Sequence, residues 1–224
     1  MMFVLLDSAD RAQVDYWLDC GVIDGVTTNP LIMAREGVTY DRKTLVGLAE
    51  AIAPRPLHLE VTAPGGDELL AQAHLLSGLA ANVVVKVPVI TPGGEPCLPA
   101  INALRSAGVR VNATACLSMG QAVLAAKAGA EFVSIFTGRV DDEGGDGAGV
   151  VASTRRWLDR WGLDTKIISA SLRGTADVRR SWEAGADCVT VPPAVLSRLC
   201  DHKYGRHTVG EFVDAAAAIG GVRN

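Results

Sequence analysis

The chain lacks several features that would fix its class at once. Its five cysteines (Cys20, Cys97, Cys116, Cys188 and Cys200) are odd in number, widely spread and never spaced as CxxC. That argues against a disulfide framework or a zinc-thiolate site and fits reduced thiols in a cytoplasm. The four histidines, His58, His74, His202 and His207, show no ligand spacing, so no metal site is expected. There is no basic stripe: 21 Lys and Arg stand against 25 Asp and Glu, a net charge of −4, so nucleic acid is not an expected partner. No apolar run is long enough to span a membrane. The opening MMFVLLDSADRAQ has no basic segment and its apolar run stops at Asp7, so it does not read as a signal peptide. Aromatic residues are scarce, at 5%.

What is present is a 49% hydrophobic chain of 224 residues, enough for one substantial core and a single domain over 1–224. Short apolar runs alternate with helical periodicity. The strand candidates are Phe3–Asp7, Gly25–Thr28, Leu57–Thr62, Val83–Val89, Val109–Ala115, Phe132–Phe136, Lys166–Ser171 and Cys188–Val191. Asp67–Leu79 and Ser118–Ala128 read as helices, the second with Ser118 as N-cap. Glycines close helices at Ala107-Gly108, Ala128-Gly129 and Ala184-Gly185. Eight such units at roughly 28 residues each predict an α/β fold, a compact (β/α)8 TIM barrel, a class typically ~250 residues long. The rival is a doubly wound sheet, which usually carries a Gly-rich phosphate loop after its first strand; LLDSADR has no glycine. Gly93-Gly94 and the acidic run Asp141–Gly149 read as loops. Asp141, Asp142, Glu143 and Asp146 lack the spacing of a calcium loop. His207–Ala218 reads as an additional C-terminal helix.

Lys86 is the residue out of place. It sits in VVVKVPV (Val83–Val89), a run that reads as a buried parallel strand. Lysine is almost never fully buried unless paired, and an unpaired buried ammonium tends to lose its proton, becoming a nucleophile toward carbonyls. The alternative is a side chain that snorkels to water at a strand end. Barrel chemistry sits at the C-terminal ends of the strands, and polar residues cluster there: Asp7, Thr27-Thr28-Asn29, Glu60, Asn112 and Thr114, Ser134, Ser169 and Ser171. Alternation puts Lys86 inside with Val84 and Pro88, and pairs His58 with Glu60, Asn112 with Thr114, and Ser134 with Phe136. Each has a structural alternative. Asp7 or Asn29 can cap a helix, Ser171 and Thr114 can bond nearby backbone, and His58 can be a satisfied core histidine. Arg139 and Arg173 follow strands 6 and 7, where barrels often bind phosphate.

These motifs together resemble the transaldolase family, specifically its short-chain branch with fructose-6-phosphate aldolase. The resemblance covers nearly the whole chain and rests on LDS (Leu6–Ser8), GVTTNP (Gly25–Pro30), VVVKVPV, NATA (Asn112–Ala115), FVSIFTGRV (Phe132–Val140) and SASLR (Ser169–Arg173). It implies a barrel with its reactive lysine on strand 4 and a class I mechanism without metal or organic cofactor. It implies Lys86 as the Schiff-base residue, Asp7 as acid/base, and Glu60 with Thr114 as holders of a water. By the same resemblance Asn29 and Ser134 bind hydroxyls of the three-carbon fragment, Thr28 and Phe136 are further substrate-binding residues, and Arg139, Ser171 and Arg173 hold a phosphate. Small sugar phosphates are the implied partners, with a homo-oligomer, a pentamer or decamer, built through the last helix.

At three positions the family separates transferases from aldolases, and Glu60, Phe136 and Ser134 all match the transferases. The expected activity is thus transfer of a dihydroxyacetone unit from a ketose phosphate to an aldose phosphate. Release of free dihydroxyacetone is the alternative, and a non-catalytic sugar-phosphate-binding barrel the remote one. A metal-dependent aldolase would need a histidine-rich site. The segment Ile90–Pro99 is longer than usual for the family. It is either a harmless surface insertion or a reshaped pocket for an acceptor other than erythrose 4-phosphate, such as a pentose phosphate in a biosynthetic pathway.

Overall fold

The computed structural model describes residues 2–220; residues 1 and 221–224, the ends of the expected 1–224 domain, lie outside it. Eight parallel strands close in sequence order into a barrel. They are β1 (Phe3–Asp7), β2 (Gly25–Thr27), β3 (Leu57–Glu60), β4 (Val83–Pro88), β5 (Val111–Cys116), β6 (Phe132–Phe136), β7 (Lys166–Ala170) and β8 (Cys188–Val191). The helices are α1 (Arg11–Asp19), α2 (Pro30–Arg35), α3 (Arg42–Ile52), α4 (Gly66–Ser77), α5 (Leu98–Ser106), α6 (Met119–Lys127), α7 (Thr137–Asp142), α8 (Gly147–Trp161), α9 (Thr175–Glu183), α10 (Pro193–Cys200) and α11 (Lys203–Ala218). The single-domain (β/α)8 barrel expected from the sequence is the fold found.

Strand periodicity divides the core in two. Val83, Val85 and Val87 face outward into the large apolar layer between sheet and helices. Val84 points inward, joining Leu5, Phe132, Ile168 and Cys188 in a small plug that fills the lower barrel. Above that plug the interior turns polar, and there the site begins. Short side-chain caps fix the helix starts: Asp10 accepts from the Ala12 and Gln13 amides, and Ser118 from the Gln121 amide at 3.2 Å. Gly108, Gly129 and Gly185 have φ of 77°, 99° and 87°, the left-handed turn that ends a helix most cheaply at glycine.

Four details differ from the sequence reading. Two short helices, α2 and α7, occupy loops after β2 and β6. The acidic run Asp141–Gly149 is therefore a helix end, a four-residue turn and a helix start. Its carboxylates are spent locally: Asp141 accepts from the Gly147 amide at 2.7 Å, and Asp146 from the Gly149 amide at 2.9 Å. The final helix starts at Lys203 rather than His207, and every residue along it is exposed. β5 starts at Val111, because the Val109 amide still closes the preceding helix on the Leu104 carbonyl. Among the described residues, no helix is long and apolar enough to cross a membrane.

Candidate active site

The parallel register sets polar residues of neighbouring strands side by side in the upper barrel. It pairs Asp7 with Thr27, Glu60 with Lys86, and Lys86 with Asn112. Lys86 is only 4% exposed. Its amine donates to the Thr28 carbonyl at 2.9 Å and lies 3.0 Å from Glu60 Oε2. The buried lysine is thus paired, which reconciles its burial with a charge. It still reaches the cavity above, an open chamber of about 260 Å3.

Asp7 stands on the β1 wall of that chamber. Thr27 donates its hydroxyl proton to Asp7 Oδ1 at 2.7 Å. Thr190 lies 2.5 Å from the same Thr27 oxygen and, with that proton already committed, must be the donor. The chain Thr190 to Thr27 to Asp7 fixes the carboxyl without neutralising it. Burial raises the Asp7 pKa above the usual carboxylate range, opposed by the positive charge of Lys86. A carboxyl of this kind exchanges protons closer to neutrality than an exposed one. Glu36 anchors the loop after Asp7, accepting from the Ser8 hydroxyl and the Ala9 and Asp10 amides.

Most residues expected from the sequence meet here. Asn29, Thr114, Ser134, Phe136, Arg139, Ser171 and Arg173 line the cavity with Asp7 and Lys86. Asn29 also caps α2, accepting from the Ile32 amide at 2.9 Å, while it lines the cavity. Among the described residues the buried Thr114 hydroxyl has no hydrogen-bond partner, an orphan that a bound water or substrate oxygen would satisfy. Ser134 donates to Asn112 Oδ1 at 2.8 Å. Ser171 has φ of 63°, and its carbonyl would stand 2.0 Å from a Cβ at Gly138, so α7 can cross this loop only with glycine there.

Two expected residues sit elsewhere. The Thr28 side chain is fully buried away from the cavity, and its carbonyl does the contacting instead. Glu60 lies behind Lys86 rather than on the cavity wall. Arg173 faces the mouth but is ion-paired with Asp142. Residues 90–99 do not line this cavity. Leu98 and Pro99 already belong to α5, and Ile90–Pro96 form a tight hairpin, bridged at its two ends and closed by a Thr91 amide bond to the Glu95 carbonyl at 2.8 Å. They face a separate groove with Val61, Thr62, Ala63 and Pro64.

The sequence reading missed Arg35 and Thr190, both on the cavity wall. Thr190 alternates correctly in CVTV and was detectable by parity. Arg35 ends the unforeseen helix α2, where strand alternation gives no signal.

Residues 4–220 match the sequence profile of the family described as Transaldolase/Fructose-6-phosphate aldolase. The chain belongs to this family. A probable transaldolase of Lactiplantibacillus plantarum is 40% identical over 201 residues, covering 90% of each chain. One from Caulobacter vibrioides is 39% identical over 221 residues, covering 98% of each. Family membership places the chain among aldolase-type enzymes. A putative lactate oxidase of Pediococcus acidilactici superposes with a TM-score of 0.59 at 14% identity, over 85% of this chain and 62% of that one. That likeness concerns the fold alone.

Proposed function

We propose that this family member is a transaldolase acting through a Schiff base on Lys86. The observation that carries the reading is one amine, 4% exposed, opening on a chamber that holds Asp7 on one wall and Arg35, Arg139 and Arg173 around it. Lys86 delivers a proton to its neighbour Glu60 and attacks the ketose carbonyl. Loss of water from the carbinolamine gives an iminium ion. Asp7 accepts the proton of the C4 hydroxyl, the C3–C4 bond breaks, and its electrons move toward the iminium nitrogen. The three-carbon enamine stays on Lys86 while the aldose leaves. An acceptor aldose phosphate enters, the enamine carbon attacks its aldehyde, and Asp7 returns the proton. Hydrolysis of the new iminium frees Lys86. The arginines suit a phosphate at the far end of the substrate, with Arg139 and Arg35 the less engaged of the three.

Glu60, Ser134 and Phe136 support transfer over release, as do the relatives named probable transaldolases. We also propose that α11 docks on a second copy of the chain, in a pentamer or decamer. Tyr204, Val209, Phe212 and Val213 on it are all more than half exposed. The test of function is incubation with fructose 6-phosphate, with and without an aldose phosphate. Product that forms only with the acceptor supports transfer; rapid free dihydroxyacetone without it overturns transfer.

A further inference from the structure

The chemistry above leaves His58 unused, yet its imidazole is completely buried inside the barrel. It lies one interior layer below Glu60, opposite Val84, with the Phe132 ring edge-on at 5.0 Å. Its Nδ1 is 3.2 Å from Asn112 Nδ2. An amide nitrogen offers only protons, so Nδ1 accepts and the neutral ring carries its proton on Nε2. Nε2 has no partner among the described residues. The charged groups around the ring are Lys86 and Glu60 above it, and Asp24, Arg110 and Lys166 around the small cavity at the barrel floor that His58 helps to line. Burial, then Lys86 and Arg110, push the ring down to about 3, which favours its neutral form near neutral pH.

The consequence runs upward. Asn112 is fully buried and does not reach the active-site cavity; Ser134 does. With Nδ2 held by His58, the amide must turn Oδ1 toward Ser134, which donates to it at 2.8 Å. Ser134 has one proton, and it is spent.

We propose that His58 is a positioning residue which, through Asn112, makes Ser134 an obligate hydrogen-bond acceptor toward the substrate. Ser134 then selects a hydroxyl of the three-carbon fragment and disfavours a carbonyl or ether oxygen at that place. The identity of the ligand rests on the transaldolase reading; the polarity of the chain does not.

The test has two arms. In the first, 15N-histidine NMR of the wild-type protein reads the tautomer of His58 directly. The Nε2–H form, unchanged down to about pH 5, is expected; a ring protonated on Nδ1 reverses the chain and overturns the proposal. The second arm uses kinetics. His58→Leu removes the acceptor, and kcat/KM for fructose 6-phosphate should fall roughly 5- to 100-fold, mostly through KM, while borohydride still traps the adduct at saturating substrate. His58→Asn puts an amide oxygen near the Nδ1 position and should restore most of the loss. In a Ser134→Ala background His58→Leu should add no more than about twofold. Full additivity, or an Asn variant as poor as Leu, overturns the proposal. A wild type that forms no adduct removes the Schiff-base reading instead, and leaves the NMR result standing on its own.

Discussion

Replacing Glu60 by Gln keeps its shape and removes one charge beside Lys86. Two unit charges 3.0 Å apart attract by about 5.5 kcal/mol at an effective dielectric near 20, before the cost of drying them. Removing one partner of a fully buried pair typically costs about 3–5 kcal/mol, because the other charge is left uncompensated. Here two features soften the loss. The Glu60 side chain is 19% exposed, and the Thr28 carbonyl remains 2.9 Å from the amine. Glu60→Gln should therefore destabilise by about 2 kcal/mol at pH 7. Lys86→Met leaves a carboxylate that can turn toward water, and should cost less. The double variant no longer strands a charge and should be more stable than Glu60→Gln alone, with a coupling of about 1–2 kcal/mol. Urea titration of all four proteins at one protein concentration measures this. Purely additive effects, or a Glu60→Gln protein within about 0.5 kcal/mol of wild type, would refute the claim that this pair is what makes the burial of Lys86 tolerable.

Three further outcomes are expected. The Asp7 pKa is raised by burial, so its contribution to stability is fully present below the unfolded carboxylate range and is lost as pH rises through the folded value. Asp7→Asn should then have a higher melting temperature than wild type at pH 7, a difference that shrinks toward pH 4, while activity falls at least about 100-fold; an equal or lower melting temperature at pH 7 contradicts the burial argument. Arg139→Ala should raise KM for fructose 6-phosphate roughly 10- to 100-fold and leave unphosphorylated fructose unchanged in steady-state assays; an equal loss on both would remove its phosphate role. Phe212→Glu, at a side chain 67% exposed, should leave the barrel folded by circular dichroism but shrink the particle in sedimentation; an unchanged sedimentation coefficient removes α11 from any interface.

The fold was legible because short apolar runs mark the strands and glycine marks the helix ends before β5, β6 and β8. Alternation also placed the inward set, from Val84 in the apolar plug to Lys86 and Ser134 above it. What alternation cannot supply is cross-strand register. That Glu60 falls beside Lys86, and that Lys86 is paired rather than bare, follows only once β3 and β4 are laid together. Backbone contacts were equally hidden: Thr28 acts through its carbonyl, which has no side-chain signature. Residues on short helices in the loops, Arg35 above all, escaped because six-residue segments carry too little periodicity to read.

The central claim is that Lys86 forms the covalent link to substrate. Borohydride reduction in the presence of fructose 6-phosphate, followed by peptide mass spectrometry, tests it most directly. The account predicts a stable three- or six-carbon adduct on the peptide containing Lys86 and none in Lys86→Met. An adduct on another lysine, or substrate binding with no adduct at any pH, would contradict it.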